Sequence, residues 1–152
     1  MSESASWGQF EQEAPELAAV VRTCFAVRKH ATLATLRSDG APRISGTEVE
    51  FSAGQVWIGS MPGAVKARDL QRDPRLSLHS PTVDPPKGAE SSWAGEAKLA
   101  GTAHEVAPED PKDTTHRFRL ALTEVVHTKV SGQGLEITSW YPGRGVEVRR
   151  RG

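Results

Sequence analysis

The stretch HATLATLRSDGAPRISGTEVEF, residues 30–51, decides the fold of this chain. Its first seven residues are apolar and rich in β-branched side chains, which is typical of a buried strand. An Asp-Gly pair at residues 39–40 then predicts a tight turn. Residues 43–51 predict a second strand, and residues 56–60 predict a third one after a turn at residues 53–55. The sequence therefore predicts a three-stranded antiparallel meander.

The chain on both sides of this meander continues the pattern of short elements. Helical spacing of apolar residues predicts a helix over residues 15–29 and a shorter one over residues 63–73. Four further strands are predicted at residues 75–80, 94–106, 116–130 and 135–141. About seven short antiparallel strands must hide their edges, so we expect a mainly β protein that closes into an antiparallel barrel.

The two ends of the chain are less regular than its middle. Residues 1–13 are polar and acidic and predict a flexible lead-in, whereas the arginine-rich residues 149–152 predict a solvated basic tail. We therefore expect one folded domain over residues 14–148, which suits a chain of 152 residues.

Composition argues against several classes of protein. Nineteen basic and nineteen acidic residues cancel, which gives no reason to expect a nucleic-acid or membrane-surface partner. No stretch approaches the ~20 apolar residues that a membrane span needs. The single cysteine, Cys24, is interpreted as a small core residue, and a chain without disulfides suits the cytoplasm. The histidines have no metal-ligand spacing, so no metal site is expected.

The best candidate site is the junction GSMPGAVKARDL, residues 59–70, where a strand ends and a helix begins. The free amides of a first helical turn bind anions well. Ser60 can add a hydroxyl and Lys66 a positive charge, and Gly59 lets a ligand approach the backbone. These features predict a phosphate cradle. Alternatively, Ser60 caps the helix and Lys66 is merely solvated.

A second candidate lies on the strand over residues 43–51. Arg43, Ser45 and Thr47 alternate and therefore share one face, which continues as apolar residues. Arg43 can hold a phosphate in a fork, which suggests that one end of the barrel opens on a polar ligand. The alternative is an ordinary exposed strand end.

Two further groups of residues carry weaker signals. His79 shares a strand face with Ser77 and can donate to a ring carbonyl or a phosphate, or it is simply polar surface. Trp140 and Arg144 belong to an aromatic-basic patch near the C-terminus. That patch either contacts a cofactor held by a partner subunit or covers the end of the barrel.

Several other functions lack support in the sequence. There is no Gly-x-Gly-x-x-Gly, Walker loop or Gly-x-Ser-x-Gly elbow, so dinucleotide-binding and hydrolase folds are not indicated. A barrel for single-stranded nucleic acid needs interleaved basic and aromatic residues, but Glu48 and Glu50 stand on the second strand with only Trp57 nearby.

Residues 30–51, together with VWIGSMPGAVKARDLQRDPRLSLHS at residues 56–80, resemble the pyridoxamine 5′-phosphate oxidase-like superfamily of FMN-binding split barrels. The resemblance covers about residues 15–142 and is strongest to a branch of flavin- and deazaflavin (coenzyme F420)-dependent oxidoreductases. It implies an antiparallel split β-barrel that forms a homodimer and binds FMN or coenzyme F420 between its subunits.

The resemblance also assigns roles to residues of this chain. It implies phosphate contacts from Arg43, Ser45, Ser60 and Lys66, a close backbone approach at Gly59 and Met61, and Ser77 and His79 nearby. Pyridoxamine phosphate oxidases carry a C-terminal substrate-binding segment with no counterpart in WYPGRGVEVRRRG, so pyridoxamine phosphate is not an expected substrate.

The expected function is therefore that of an oxidoreductase that transfers hydride to or from a small conjugated organic substrate. The alternative is a non-catalytic split-barrel protein that binds flavin or haem. No residue stands out as a general acid, so no catalytic residue is predicted.

Overall fold

The computed structural model describes residues 3–152 and contains three α-helices and eight β-strands. Residues 1 and 2, which belong to the predicted lead-in, lie outside the described residues. The helices are α1 (Trp7–Glu13), α2 (Pro15–Ala26) and α3 (Val65–Arg72). The strands are β1 (His30–Leu36), β2 (Pro42–Ser52), β3 (Gln55–Ser60), β4 (Arg75–His79), β5 (Glu96–Glu105), β6 (His116–Ser131), β7 (Gly134–Tyr141) and β8 (Gly145–Arg151).

All strands belong to one antiparallel sheet that closes on itself. Their order is β3-β2-β1-β4-β5-β6, and a further pairing of β3 with β6 closes the first six strands into a barrel. The strands β7 and β8 extend the sheet beyond β6. The predicted mainly β fold of the split-barrel type is confirmed.

The barrel interior is filled by alternate residues of each strand, because successive side chains of a strand point to opposite faces. Leu33, Ile58, Leu78, Leu99 and Leu120 are each no more than 3% exposed. One continuous apolar cluster joins this interior to side chains of α1 and α2. No helix of residues 3–152 is long and apolar enough to span a bilayer.

The prediction that residues 1–13 form a flexible lead-in is wrong for residues 7–13, which form α1. The Ser6 hydroxyl caps the helix by accepting a bond from the Gln9 amide. Trp7 and Phe10 are 2% and 0% exposed and pack edgewise against Phe51 and beside Trp140, respectively. The apolar side chains of this polar segment thus anchor it to the barrel.

The predicted basic tail is also corrected, because residues 149–151 belong to β8. This strand pairs with β7 over its whole length, from Tyr141 opposite Gly145 to Leu135 opposite Arg151. The turn between the two strands uses Gly143 and Gly145, both at a φ of 79° that side-chain-bearing residues rarely adopt. A glycine turn thus adds an edge strand beyond the barrel.

A bulge in β6 changes which residues face the core. The pairing of β5 with β6 shifts between Ala100 and Gly101, so Glu124 and Leu122 are opposite consecutive residues of β5. Before the bulge, the buried face of β6 consists of Phe118, Leu120 and Leu122. After the bulge, Val125 is the fully buried residue, at 0% exposure.

The sheet parts between β2 and β3, and this gap positions the candidate site. The two strands pair only from Val49 opposite Ile58 to Ser52 opposite Gln55. Beyond that point β2 pairs with β1 alone and β3 with β6 alone. The helix α3 follows β3 directly, and the Lys66 Nζ donates to the Gly46 carbonyl of β2 at 2.8 Å.

Candidate functional site

A cleft of about 670 Å³ opens where β2 and β3 separate. It is bounded by β2, β3, the turn before α3 and the start of β6. Of the residues predicted for the site, it contains Thr47, Gly59, Ser60, Met61 and Lys66. Its other lining residues are His30, Gly46, Glu48, Val49, Glu50, Trp57, Ile58, Thr115, His116 and Arg117.

Two glycines keep this cleft open. A Cβ added at Gly46 would meet no atom within 4 Å, and one added at Gly59 would meet only the His116 carbonyl oxygen, at 3.5 Å. Both residues are exposed. A side chain at either position would therefore occupy the cleft, whereas glycine lets a flat ligand reach the backbone.

The junction of β3 with α3 contains one buried polar group that has no partner among the described residues. Ser60 lines both the cleft and a narrow void beneath α3, and its Oγ is buried without a hydrogen-bond partner among residues 3–152. Ser60 does not cap α3, which has no side-chain cap. The Ala67 and Arg68 amides, in the first turn of α3, both donate to the Ala64 carbonyl and are therefore already paired. A buried hydroxyl beside a lysine is suited to an anionic ligand.

A series of hydrogen bonds through His116, Glu105 and Gln71 holds the turn between β3 and α3. The Gly63 amide donates to the His116 Nε2 at 3.2 Å, so the proton of the neutral imidazole lies on Nδ1. Nδ1 is 2.8 Å from a Glu105 oxygen, and Gln71 donates to the other oxygen at 2.8 Å. Bonds from Gln71 and His116 hold the pKa of the Glu105 carboxyl below its usual range. His116 thus fixes the turn that carries Met61.

Arg43, predicted to hold a phosphate, is instead bonded to a buried carboxylate of α3. Its Nε donates to the Asp69 carboxylate at 2.6 Å, and Asp69 is 2% exposed. Thr35 and Arg72 donate to the same carboxylate at 2.8 and 2.9 Å. Burial alone would raise the pKa of Asp69, but the bonds from Arg43, Thr35 and Arg72 hold it below its usual range. Arg43 therefore ties α3 to β2.

The remaining residues predicted on β2 and β4 lie outside the cleft. Ser45 pairs with Leu33 and shares the inner face of the barrel. Ser77 and His79 pair with Ala34 and Thr32 on the outer face, so the structure does not bring them together with Ser45. The Nδ1 of His79 lies 2.6 Å from the Ser80 carbonyl oxygen.

The aromatic-basic patch near the C-terminus is not part of the cleft either. Trp140 is 0% exposed and packs against Phe10, so its ring covers the core and cannot reach a partner subunit from this position. The Arg144 guanidinium lies 4.1 Å from the centre of the Tyr141 ring. The prediction of a partner contact is therefore wrong for Trp140, and for Arg144 it stays a prediction.

Arg117, a cation on β6, also lines the cleft and is not among the predicted site residues. Arg117 is opposite Gly59 in the pairing of β3 with β6, and its guanidinium lies 3.6 Å from the centre of the Trp57 ring. No local motif marks Arg117, because its neighbours come from a strand almost sixty positions earlier. Only the pairing of β3 with β6 could have identified it.

The sequence model of one protein family matches most of the chain. It is described as pyridoxamine 5′-phosphate oxidase, and it matches residues 17–130, which include the entire cleft. Among curated proteins, none is significantly similar in sequence.

Solved structures share this fold at low sequence identity. A pyridoxamine 5′-phosphate oxidase-related, FMN-binding protein from Nostoc punctiforme PCC 73102 is 11% identical, with a TM-score of 0.61 over 94% of this chain and 97% of its own. A haem-binding protein from Mycobacterium smegmatis is 16% identical, with a TM-score of 0.54 over 91% and 88%. An F420 reductase is 14% identical, with a TM-score of 0.50 over 68% and 93%.

Proposed function

This chain belongs to the pyridoxamine 5′-phosphate oxidase family, and from that premise we propose that it is an oxidoreductase. It uses FMN or the deazaflavin coenzyme F420 to transfer hydride to or from a small conjugated organic substrate. The observation that carries this proposal is the Ser60 hydroxyl, which is buried without a hydrogen-bond partner among residues 3–152 and lines, together with Lys66, a cleft that Gly46 and Gly59 keep open.

The cleft fits the phosphate and the ring of such a cofactor. Lys66 supplies a positive charge, Ser60 a free hydroxyl, and the amino end of α3 a favourable dipole. Gly46 and Gly59 leave space for a planar ring against the backbone, and Trp57 forms a side wall. The hydrogen-bond donors and the shape of the cleft therefore suit the phosphate and the ring of FMN or coenzyme F420.

The protein's part in the reaction is binding and orientation. A bound flavin or deazaflavin would supply the hydride chemistry. Lys66 and Ser60 would hold its phosphate, which fixes the position of the ring over Gly59. Lys66 is itself held by its bond to the Gly46 carbonyl at 2.8 Å, so it is oriented before the ligand arrives.

We propose further that a second copy of the chain covers the cleft. Three large apolar side chains lie exposed beside it: Ile44 at 75%, Met61 at 78% and Val65 at 51%. Ile44 shares the outer face of β2 with Gly46, and Met61 lines the cleft itself. A homodimer that buries these residues would exclude water from the site.

Light scattering tests the dimer. Replacing Met61 by Asp should convert the dimer to a monomer, because the charge would be buried in the interface. Val146, which is 48% exposed on β8, provides the matched control, and its replacement by Asp should leave the dimer intact. A wild-type protein that is monomeric at all concentrations would contradict the proposed dimer.

Titration of the purified protein with FMN and with coenzyme F420, followed by fluorescence, tests the cofactor. Saturable binding of one of them, together with reduction of a conjugated substrate, is expected. Lys66→Ala should weaken the binding by about 1–3 kcal/mol if the ammonium pairs with the phosphate. Failure of both cofactors to bind would overturn the proposal.

A second candidate function is non-catalytic binding of flavin or haem. It is supported by the fold shared with the haem-binding protein of M. smegmatis and by His30, which lines the cleft and has an imidazole of the kind that ligates haem iron. Titration with haemin separates the two candidates. Tight binding with a Soret shift that His30→Ala removes, and no turnover with either flavin, would favour this second function.

A further inference from the structure

Arg117 is a cation that lines the cleft and forms no ion pair with the described carboxylates. In the part of the chain that the structure describes, residues 3–152, no carboxylate lies within salt-bridge distance of its guanidinium. The carboxylates that line the cleft, Glu48 and Glu50, belong to β2 on the opposite wall, and Glu48 pairs with Lys29 at 3.4 Å. Glu50 pairs with Trp57 across the sheet and makes no ion pair with Arg117 within the described residues.

The position of Arg117 is fixed by its surroundings. It pairs across the sheet with Gly59, which has no side chain to compete for the space above the strands. Its guanidinium lies over the Trp57 ring at 3.6 Å, and the indole of Trp57 is anchored by a bond from Nε1 to the Ser52 carbonyl at 3.2 Å. Stacking leaves the edge of a guanidinium, with its N–H groups, free to bind a planar acceptor.

Arg117 and Lys66 are held on opposite sides of β3. Lys66 bonds to Gly46 on β2, whereas Arg117 stands on β6, with β3 between them. Each cation is oriented by its own contact, Lys66 by the Gly46 carbonyl and Arg117 by the Trp57 ring. The cleft therefore presents a second, separate cation, which suits an acceptor at another point of the ligand.

We infer that Arg117 determines specificity by binding a carboxylate of the ligand at the end of the cleft away from Lys66. A guanidinium donates two parallel N–H···O bonds to a carboxylate, and a phosphate held at Lys66 leaves this fork of Arg117 free. This inference deepens the proposed function and rests on it. The carboxylate belongs either to the glutamate tail of a deazaflavin cofactor or to the organic substrate.

Two pairs of probes distinguish these sources. Coenzyme F420 is compared with the same cofactor after removal of its glutamates, and cinnamate is compared with cinnamamide. Binding is followed by calorimetry and by the NMR signal of the Arg117 Nε–H, on the protein with and without cofactor. Arg117→Gln should lose about tenfold or more of the affinity for one charged probe and none for its neutral counterpart.

Two variants control this experiment. Arg117→Lys keeps the charge but not the fork, so it should restore only part of the affinity. Arg119→Gln removes a neighbouring cation of β6 that does not line the cleft, and it should change neither affinity.

The outcomes separate this inference from the proposed function. If the wild-type protein binds neither flavin nor deazaflavin but still prefers a charged probe through Arg117, the inference stands and the proposed function fails. If a cofactor binds and Arg117→Gln leaves both pairs of probes unaffected, the inference is overturned and the proposed function stands. Equal losses for charged and neutral probes would also overturn the inference, because they would indicate a purely structural role.

Discussion

The buried polar groups on the two sides of α3 differ in their hydrogen bonding. On the inner side, the Asp69 carboxylate is 2% exposed and accepts bonds from Thr35, Arg43 and Arg72. On the cleft side, the Ser60 hydroxyl is buried without a partner among the described residues. A satisfied buried network stabilises a fold, whereas a hydroxyl without a partner beside an open cleft is available to a ligand. The inner side should therefore determine stability, and the cleft side should determine binding.

Removal of the Asp69 carboxylate should have the largest effect. In Asp69→Asn, the partly buried Arg43 loses its counterion, and we expect a loss of about 3–5 kcal/mol in the free energy of unfolding. Urea denaturation measures this loss. Asp73→Asn is the control, because the Asp73 pair with Arg75 is exposed and its removal should change stability little. Equal effects in both variants would contradict the assignment of the inner side.

The same network predicts how stability depends on pH. The pKa of Asp69 is held below its usual range in the folded protein, so its contribution is fully present above the unfolded value of about 3.9. It is lost as the pH falls through the lower pKa of the folded state. The difference in stability between wild type and Asp69→Asn should therefore be constant from pH 7 to 5 and shrink below pH 4. A constant difference down to pH 2.5 would contradict this.

Filling the cleft should affect binding without affecting stability. A Cβ added at Gly46 meets no described atom within 4 Å, so we expect Gly46→Val to fold normally while its isopropyl group occupies the cleft. We expect at least a tenfold loss of cofactor affinity, seen in the fluorescence titration. Thr32→Val, at the position that pairs with Gly46 but outside the cleft, should bind as the wild type does. Unchanged affinity in Gly46→Val would place the ligand elsewhere.

Loosening the turn before α3 should have the smallest effect. His116→Ala removes the acceptor for the Gly63 amide and should weaken cofactor binding several-fold, since a single hydrogen bond contributes about 1 kcal/mol. His116→Gln keeps an acceptor and should recover most of the loss. If both variants bind like the wild type, His116 does not position the turn.

The sequence predicts most of the barrel because its signals are local. Asp39 and Gly40 mark the turn of the first hairpin, and alternating apolar residues mark the strands that follow. The helix α3 was predicted over residues 63–73, and it spans Val65–Arg72. In contrast, α1 is too short and polar to show a helical pattern, and only its contacts with Phe51 and Trp140 explain it.

The candidate site was less predictable, because its residues meet only through tertiary packing. Lys66 and Ser60 are close in sequence, so their association was predicted from one motif. The pairing of Arg43 with Asp69 depends on how α3 docks on β2, which alternation along one strand does not reveal. Arg117 enters the cleft through the closure of the barrel between β3 and β6, a contact between distant parts of the sequence.

The most direct test measures cofactor affinity and free energy of unfolding together for Arg43→Gln and Lys66→Gln. We predict that Arg43→Gln lowers stability because Asp69 loses a partner, and that its cofactor affinity changes less than that of Lys66→Gln. We predict the reverse for Lys66→Gln, with affinity reduced about tenfold or more and stability unchanged. An Arg43→Gln variant that is fully stable but binds cofactor as weakly as Lys66→Gln would contradict the account.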